Sequence, residues 1–159
     1  LDAVNPVDPC FREAVEGGVT TACTGPGSAN VIGGQFLVMK TAGRTMDEMV
    51  IKEPQSLKSA FGENPKRVYS GQNKSPSTRM ATAAIFRKAF TEARTYMAKM
   101  ENADPDKRPA QDLGLDVLVS ALKGEIPVKM HAHRADDILT AIRLAGEFGL
   151  RATIDHCTE

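Results

Sequence analysis

Short β-branched or apolar runs alternate along the chain with longer stretches of three- and four-residue apolar spacing. Val19 to Thr24 (VTTACT), Phe36 to Lys40 (FLVMK) and Met49 to Lys52 (MVIK) predict strands. Pro54 closes the third of these, and a short helix is expected over Gln55 to Phe61. Asp8 to Glu16 predicts a helix with Pro9 in its first turn and Gly17-Gly18 to stop it. From Thr78 to Met100 the positions Ala81, Ile85, Phe86, Ala89, Ala93, Tyr96, Met97 and Met100 keep helical spacing, and Leu115 to Leu122 predicts a further helix. GPGSANVIGGQ, GENPKR, SGQNKSPS and ENADPDKRPAQD read as loops and turns.

The last third is the most regular. Ile126 to Met130 (IPVKM) predicts a strand that runs into His131, and Leu150 to Asp155 predicts one that runs into His156. Between them Ile138, Ala141, Ile142, Ala145 and Phe148 form one helical face, with Asp136 or Asp137 able to cap its start and Gly149 its left-handed end. Strand, helix and strand make a βαβ unit, hence parallel strands and a right-handed crossover. Parallel neighbours end at one edge, so His131 and His156 should emerge side by side. Ligands of parallel α/β folds bind at that edge.

The chain has three histidines, and His131, His133 and His156 all fall in this stretch. Neutral imidazole is a common ligand for divalent metals, and two of them a strand apart can converge on one ion. His133 is expected to touch substrate or support the ligands; a surface residue at the helix entry is the competing reading. Asp155, one residue before His156, should point to the opposite face of its strand and is not a catalytic candidate. Cys157 invites a thiolate reading, but a small buried core residue fits it better. GPGSANVIGGQ lacks both GK[ST] and GxGxxG, which removes a nucleotide loop.

Composition narrows the class. At 159 residues, 25% charged and 42% hydrophobic, the chain reads as one ordinary globular domain. Lys plus Arg equals Asp plus Glu at 20 each, so no field favours nucleic acid or an anionic membrane. No apolar run is long enough to span a bilayer. Cys10, Cys23 and Cys157 are scattered and odd in number, which fits reduced thiols and a cytoplasmic location.

Together GVTTACTGPGSANVIGGQ, KEPQSLKSAFGENPKRVY, HAHRADDILTAIRLAGEFGL and IDHCTE resemble the metal-dependent amidohydrolase superfamily, in its imidazolonepropionase- and prolidase-like branch. The resemblance implies a (β/α)8 barrel holding one or two divalent ions, usually Zn2+, at its C-terminal mouth. Its ligands are a His-x-His pair on strand 1, single histidines on strands 5 and 6 and an Asp on strand 8, with a carboxylated Lys or a Glu bridging two ions. On that pattern His131 is the strand-5 ligand and His156 the strand-6 ligand. Lys52 is the candidate bridging lysine, with Glu53 the alternative carboxylate and Lys40 a weaker candidate; a strand-end surface lysine competes with that role for Lys52. GPGSANVIGGQ becomes a loop at the barrel mouth.

No His-x-His precedes GVTT, the strand-8 Asp that would be the general base is missing, and a full barrel takes roughly 250 residues. The expectation is therefore an α/β chain, a partial (β/α)8 TIM-barrel in which residues 1–159 are the central segment, about strands 2 to 6. The parent would cleave C–N bonds of non-peptide, small cyclic or dipeptide amides with a metal-activated water. This segment alone would be inactive, and its partners would be a small-molecule amide and either a second copy or the remainder of the barrel. The alternatives are a non-catalytic α/β binding module and a deaminase on the same scaffold.

Overall fold

The computed structural model describes residues 1–102 and 104–159. In chain order the elements are α1 (Pro9–Glu16), β1 (Thr21–Thr24), β2 (Ile32–Lys40), a single turn α2 (Met46–Met49), β3 (Val50–Ala60), α3 (Glu63–Ser70) and α4 (Arg79–Met100). They continue with α5 (Leu113–Leu122), β4 (Val128–Ala132), α6 (Ala135–Phe148) and β5 (Ala152–His156). The strands make one curled, half-barrel sheet in the order β1-β2-β3-β4-β5. β3, β4 and β5 are mutually parallel, and α6 crosses from β4 to β5 as the sequence predicts.

The first half departs from a run of parallel barrel strands, because β1–β2 and β2–β3 pair antiparallel. Residues 25–31 join the first pair, and 41–49, with one helical turn, join the second. A parallel return needs a crossover of a dozen residues or more, usually a complete helix. These connections are too short for one, so the chain reverses.

The helix expected over Gln55 to Phe61 is instead the second half of β3. Residues 56–60 are all buried, lying between the ladders of β2 and β4. Two ladders and burial on both faces override a local helical preference. Pro54 does not end the strand. It falls between the Val38↔Lys52 and Phe36↔Ser56 pairings, where the register shifts, and such a bulge tolerates a residue with no N–H. GENPKR, read as a turn, starts α3.

Register divides the parallel strands into two faces. Leu57, Val128, Met130 and Ile154 share one face and pack beneath α4, α5 and α6 with Phe86, Phe90, Leu118 and Leu144. Phe61, Phe86, Phe90 and Phe148 form an aromatic cluster there, with neighbouring centroids 4.6 to 6.2 Å apart. Lys58, Lys129, His131 and Asp155 share the other, concave face. A smaller apolar cluster of Leu37, Met39 and Met49 closes against Val4 and Phe11.

Helix ends mostly follow the sequence. Asp8 and Thr78 accept from the first turns of α1 and α4, and Gly149 ends α6 at φ +67°. Asp136 and Asp137 do not cap α6; its N-cap is Arg134, which makes no side-chain cap bond. Asp137 is buried and accepts instead from Arg79 Nε at 2.9 and 3.2 Å, tying the starts of α4 and α6 together. Gly62, at φ +78°, lies so close that a Cβ there would sit 2.5 Å from Asp137 Oδ2. Among the described residues no helix is long and apolar enough to cross a membrane.

Phe86 is fully buried at the centre of the aromatic cluster. Phe86→Ala should lower unfolding free energy by about 3–5 kcal/mol in urea titration. A loss below about 1 kcal/mol would place the core elsewhere.

Candidate metal centre

His131 lies inside β4, paired with Ala60 of β3 and Asp155 of β5, and is 4% exposed. Its ring, those of His133 and His156, and nothing else from the described His, Cys, Asp and Glu set, form a group of potential metal donors. One donor atom from each lies within 4.8 Å of the other two. The ring centroids are nearly equidistant: 4.7 Å for His131–His133, 4.6 Å for His131–His156 and 4.7 Å for His133–His156.

Each imidazole reaches this point by a different route. His131 is placed by sheet alternation alone. His156 by the same alternation belongs with Ile154 on the helix-covered face, because His131 pairs with Asp155 and Ala132 with His156. Its backbone, however, is left-handed at φ +78°, followed by Cys157 at φ +47°. That conformation takes the ring out of alternation and sets it beside His131, at a backbone cost on the order of 1–3 kcal/mol per residue. His133 is held by the returning chain: Cys157 N–H donates to Ala132 O at 3.1 Å and Glu159 N–H to His133 O at 3.2 Å. The Thr158 hydroxyl donates to His133 O at 3.4 Å, so its oxygen is free to accept from His133 Nδ1, 3.1 Å away. That leaves His133 Nε2 as the donor atom.

Beneath the rings, Asp155 accepts from Lys58 Nζ at 2.9 Å and from Lys129 Nζ, and both ammonium groups stand about 6 Å from the Phe36 ring centroid. Burial pushes Asp155 up, but the hydrogen bonds from Lys129 and Lys58 outweigh it and hold the carboxyl below its usual range. Burial first, then the His156 and His133 imidazoles and Lys58, pull His131 from 6.5 down to about 4, against the opposing Asp155. His131 is therefore neutral near pH 7, the form that binds metal. Its Nδ1 is buried with no hydrogen-bond partner, an atom of the kind a metal ion satisfies. The donor set fits a divalent ion.

Of the residues singled out by sequence, His131, His133 and His156 are brought together. Lys52, Glu53 and Lys40 are not. They are exposed at the other end of the sheet, and Lys52 lies eight residues before Ala60, on the order of 20 Å along β3. No single site joins them to the histidines. Asp155 faces the same side as His131, contrary to expectation, because the expectation assumed that His156 keeps strand alternation. Cys157 is exposed rather than buried, just past that left-handed turn. The 25–31 loop does lie at the histidine edge: Val31 O accepts from Ala60 N–H at 3.2 Å and from Ser59 Oγ at 2.7 Å. Sequence reasoning missed Lys58 and Asn64. Lys58 was hidden by the helical reading of its segment; as a strand, QSLKSA puts it on His131's face.

No family model matches the chain. It is 30% identical, over 169 aligned positions, to the amidohydrolase tasK of Hapsidospora irregularis, covering 93% of this chain and 17% of that protein. A crystal structure of an amidohydrolase from Thermotoga maritima MSB8 matches it with a TM-score of 0.92 at 48% identity, covering 96% of this chain and 40% of that one. The chain thus spans less than half the length of either relative, and both similarities support kinship with amidohydrolases.

The depressed His131 value sets a pH dependence. The folded pKa lies below the unfolded one, so the unfolded chain binds the proton first. This contribution to stability is whole above about 6.5, is lost as pH falls towards about 4 and is flat below. Urea titrations of chelator-treated protein should show up to about 3 kcal/mol more loss across that window than His131→Gln does. Parallel profiles for the two proteins would contradict it.

Proposed function

We propose that residues 1–159 are the central part of the (β/α)8 catalytic barrel of a metal-dependent amidohydrolase, in the imidazolonepropionase- and prolidase-like branch. In this reading the parent enzyme hydrolyses C–N bonds of small amides, non-peptide, cyclic or dipeptide. One observation carries it: three imidazoles from two parallel strand ends converge around His131, whose buried Nδ1 has no partner. Incidental histidines have no reason to meet this way, least of all through two consecutive left-handed residues. The names of both similar proteins support the same class.

His131, His133 and His156 would hold Zn2+ or a similar divalent ion. When bound, such an ion lowers the pKa of water and polarises the scissile carbonyl. Around it the chain's own groups have distinct tasks. Asp155, kept ionised by two lysines, braces the base of the site and fixes the residue just before His156. Lys58 lies on the histidine face, where its ammonium is committed to Asp155, while Lys52 lies at the far end of β3, too remote to bridge ions there. The 25–31 loop borders the substrate space. β1 and β5 are the outer strands of the sheet among the described residues, and the remaining barrel strands or a second copy would cover them. A reducing compartment suits three exposed, unpaired cysteines.

His131→Ala, His133→Ala and His156→Ala should each weaken zinc binding by at least about tenfold in chelator competition and abolish amide hydrolysis by the intact protein. Lys52→Ala should change neither. Wild-type zinc affinity in all three histidine variants would refute the assignment.

A further inference from the structure

Asn64, in the first turn of α3, directs its side-chain amide at His131 from outside the histidine cluster. Its Nδ2 lies 3.0 Å from His131 Nε2, while His131 Nδ1 is buried and partnerless. The contact can be made in two ways. In one, the amide N–H donates to a bare Nε2, which puts the ring proton on Nδ1, where nothing accepts it. In the other, the amide is turned by half a rotation, so that its oxygen accepts from Nε2–H and Nδ1 keeps a bare lone pair. Only the second leaves no buried N–H without an acceptor, and it leaves the partnerless Nδ1 with its lone pair free for a metal.

We infer that Asn64 is a positioning residue that selects the Nε2–H tautomer of His131 through its side-chain oxygen and so assigns Nδ1 as the metal-facing atom. The inference rests on the metal reading above for its purpose, although the tautomer exists without the ion. His131 and His133 would then use opposite nitrogens, since Thr158 occupies His133 Nδ1. Asn64 is half-buried on a helix first turn, so replacements there do not disturb the apolar core.

The two arrangements respond oppositely to Asn64→Asp, which keeps the acceptor and removes the donor. The chain has three histidines, so ring nitrogens labelled with 15N can be followed individually. In metal-free protein near neutral pH, long-range 1H–15N spectra should show His131 protonated on Nε2 in wild type and in Asn64→Asp, and a mixture of tautomers in Asn64→Leu. Zinc affinity, measured with the metal alone against a competing chelator, should be retained within a few-fold in Asn64→Asp. It should fall roughly 10- to 100-fold in Asn64→Leu. An Nδ1–H ring in wild type, or loss of the tautomer in Asn64→Asp, overturns the inference, and either is readable even if the leucine variant fails to fold. Wild-type protein that takes up no zinc while showing the Nε2–H ring would defeat the metal reading and leave the role of Asn64 standing.

Discussion

Strands that run parallel and in register must finish at the same edge, and the pairing of β3, β4 and β5 obeys that rule through Ala60, His131 and Asp155. From it follow the meeting of residues more than twenty positions apart, the concave face that carries the charges, and the point where the chain after β5 turns back over His133. α6 makes this pairing possible by supplying a crossover of the required length, and its glycine end turns the chain into β5. The ion pair of Asp137 with Arg79 anchors the other end of that helix to α4.

The concave face sets a second constraint, because it gathers Lys58 and Asp155 where water is scarce, with the half-buried Lys129 beside them. Lys58 has only 4% of its side chain exposed and Asp155 18%. A buried ammonium without a partner is costly, and removing one member of such a set leaves the others uncompensated. One carboxylate between two lysines leaves a net positive charge beneath the three rings. Phe36 lies near both ammonium groups, offering its ring face where a hydrogen-bonding partner is lacking.

Much of the C-terminal third was legible in sequence because local signals and tertiary outcome agree there. The helical stripe from Ile138 to Phe148, Gly149 and the two short apolar runs all specify one βαβ unit, which brings His131 and His156 to one edge, and the left-handed turn at His156 then sets the rings together. Elsewhere the signals compete. QSLKSAF has helical residues but is buried between two ladders, so context decided against propensity, and Lys58 went unseen with it. Lys52 looked like a strand end only because Pro54 looked like a stop; a bulge carries the strand onward, and the true end lies at Ala60. The side taken by the His156 ring and the exposure of Cys157 depend on two left-handed residues that are neither glycine nor asparagine, and no sequence rule announces such a turn. Asn64 sits in a segment that resembles a plain turn.

The two faces of β4 interleave one residue at a time: Val128, Met130 and Ala132 belong to the apolar layer, and Lys129 and His131 to the polar one. Their tolerances to change are correspondingly separate, since altering one set revises chemistry and altering the other revises packing. Insertion or deletion of a single residue within this strand is a different kind of event. It would exchange the two sets wholesale, pressing a lysine and a histidine against Phe86 and Leu144 while turning valine and methionine towards the ring cluster. Evolution along this strand is thus free in letter and rigid in count.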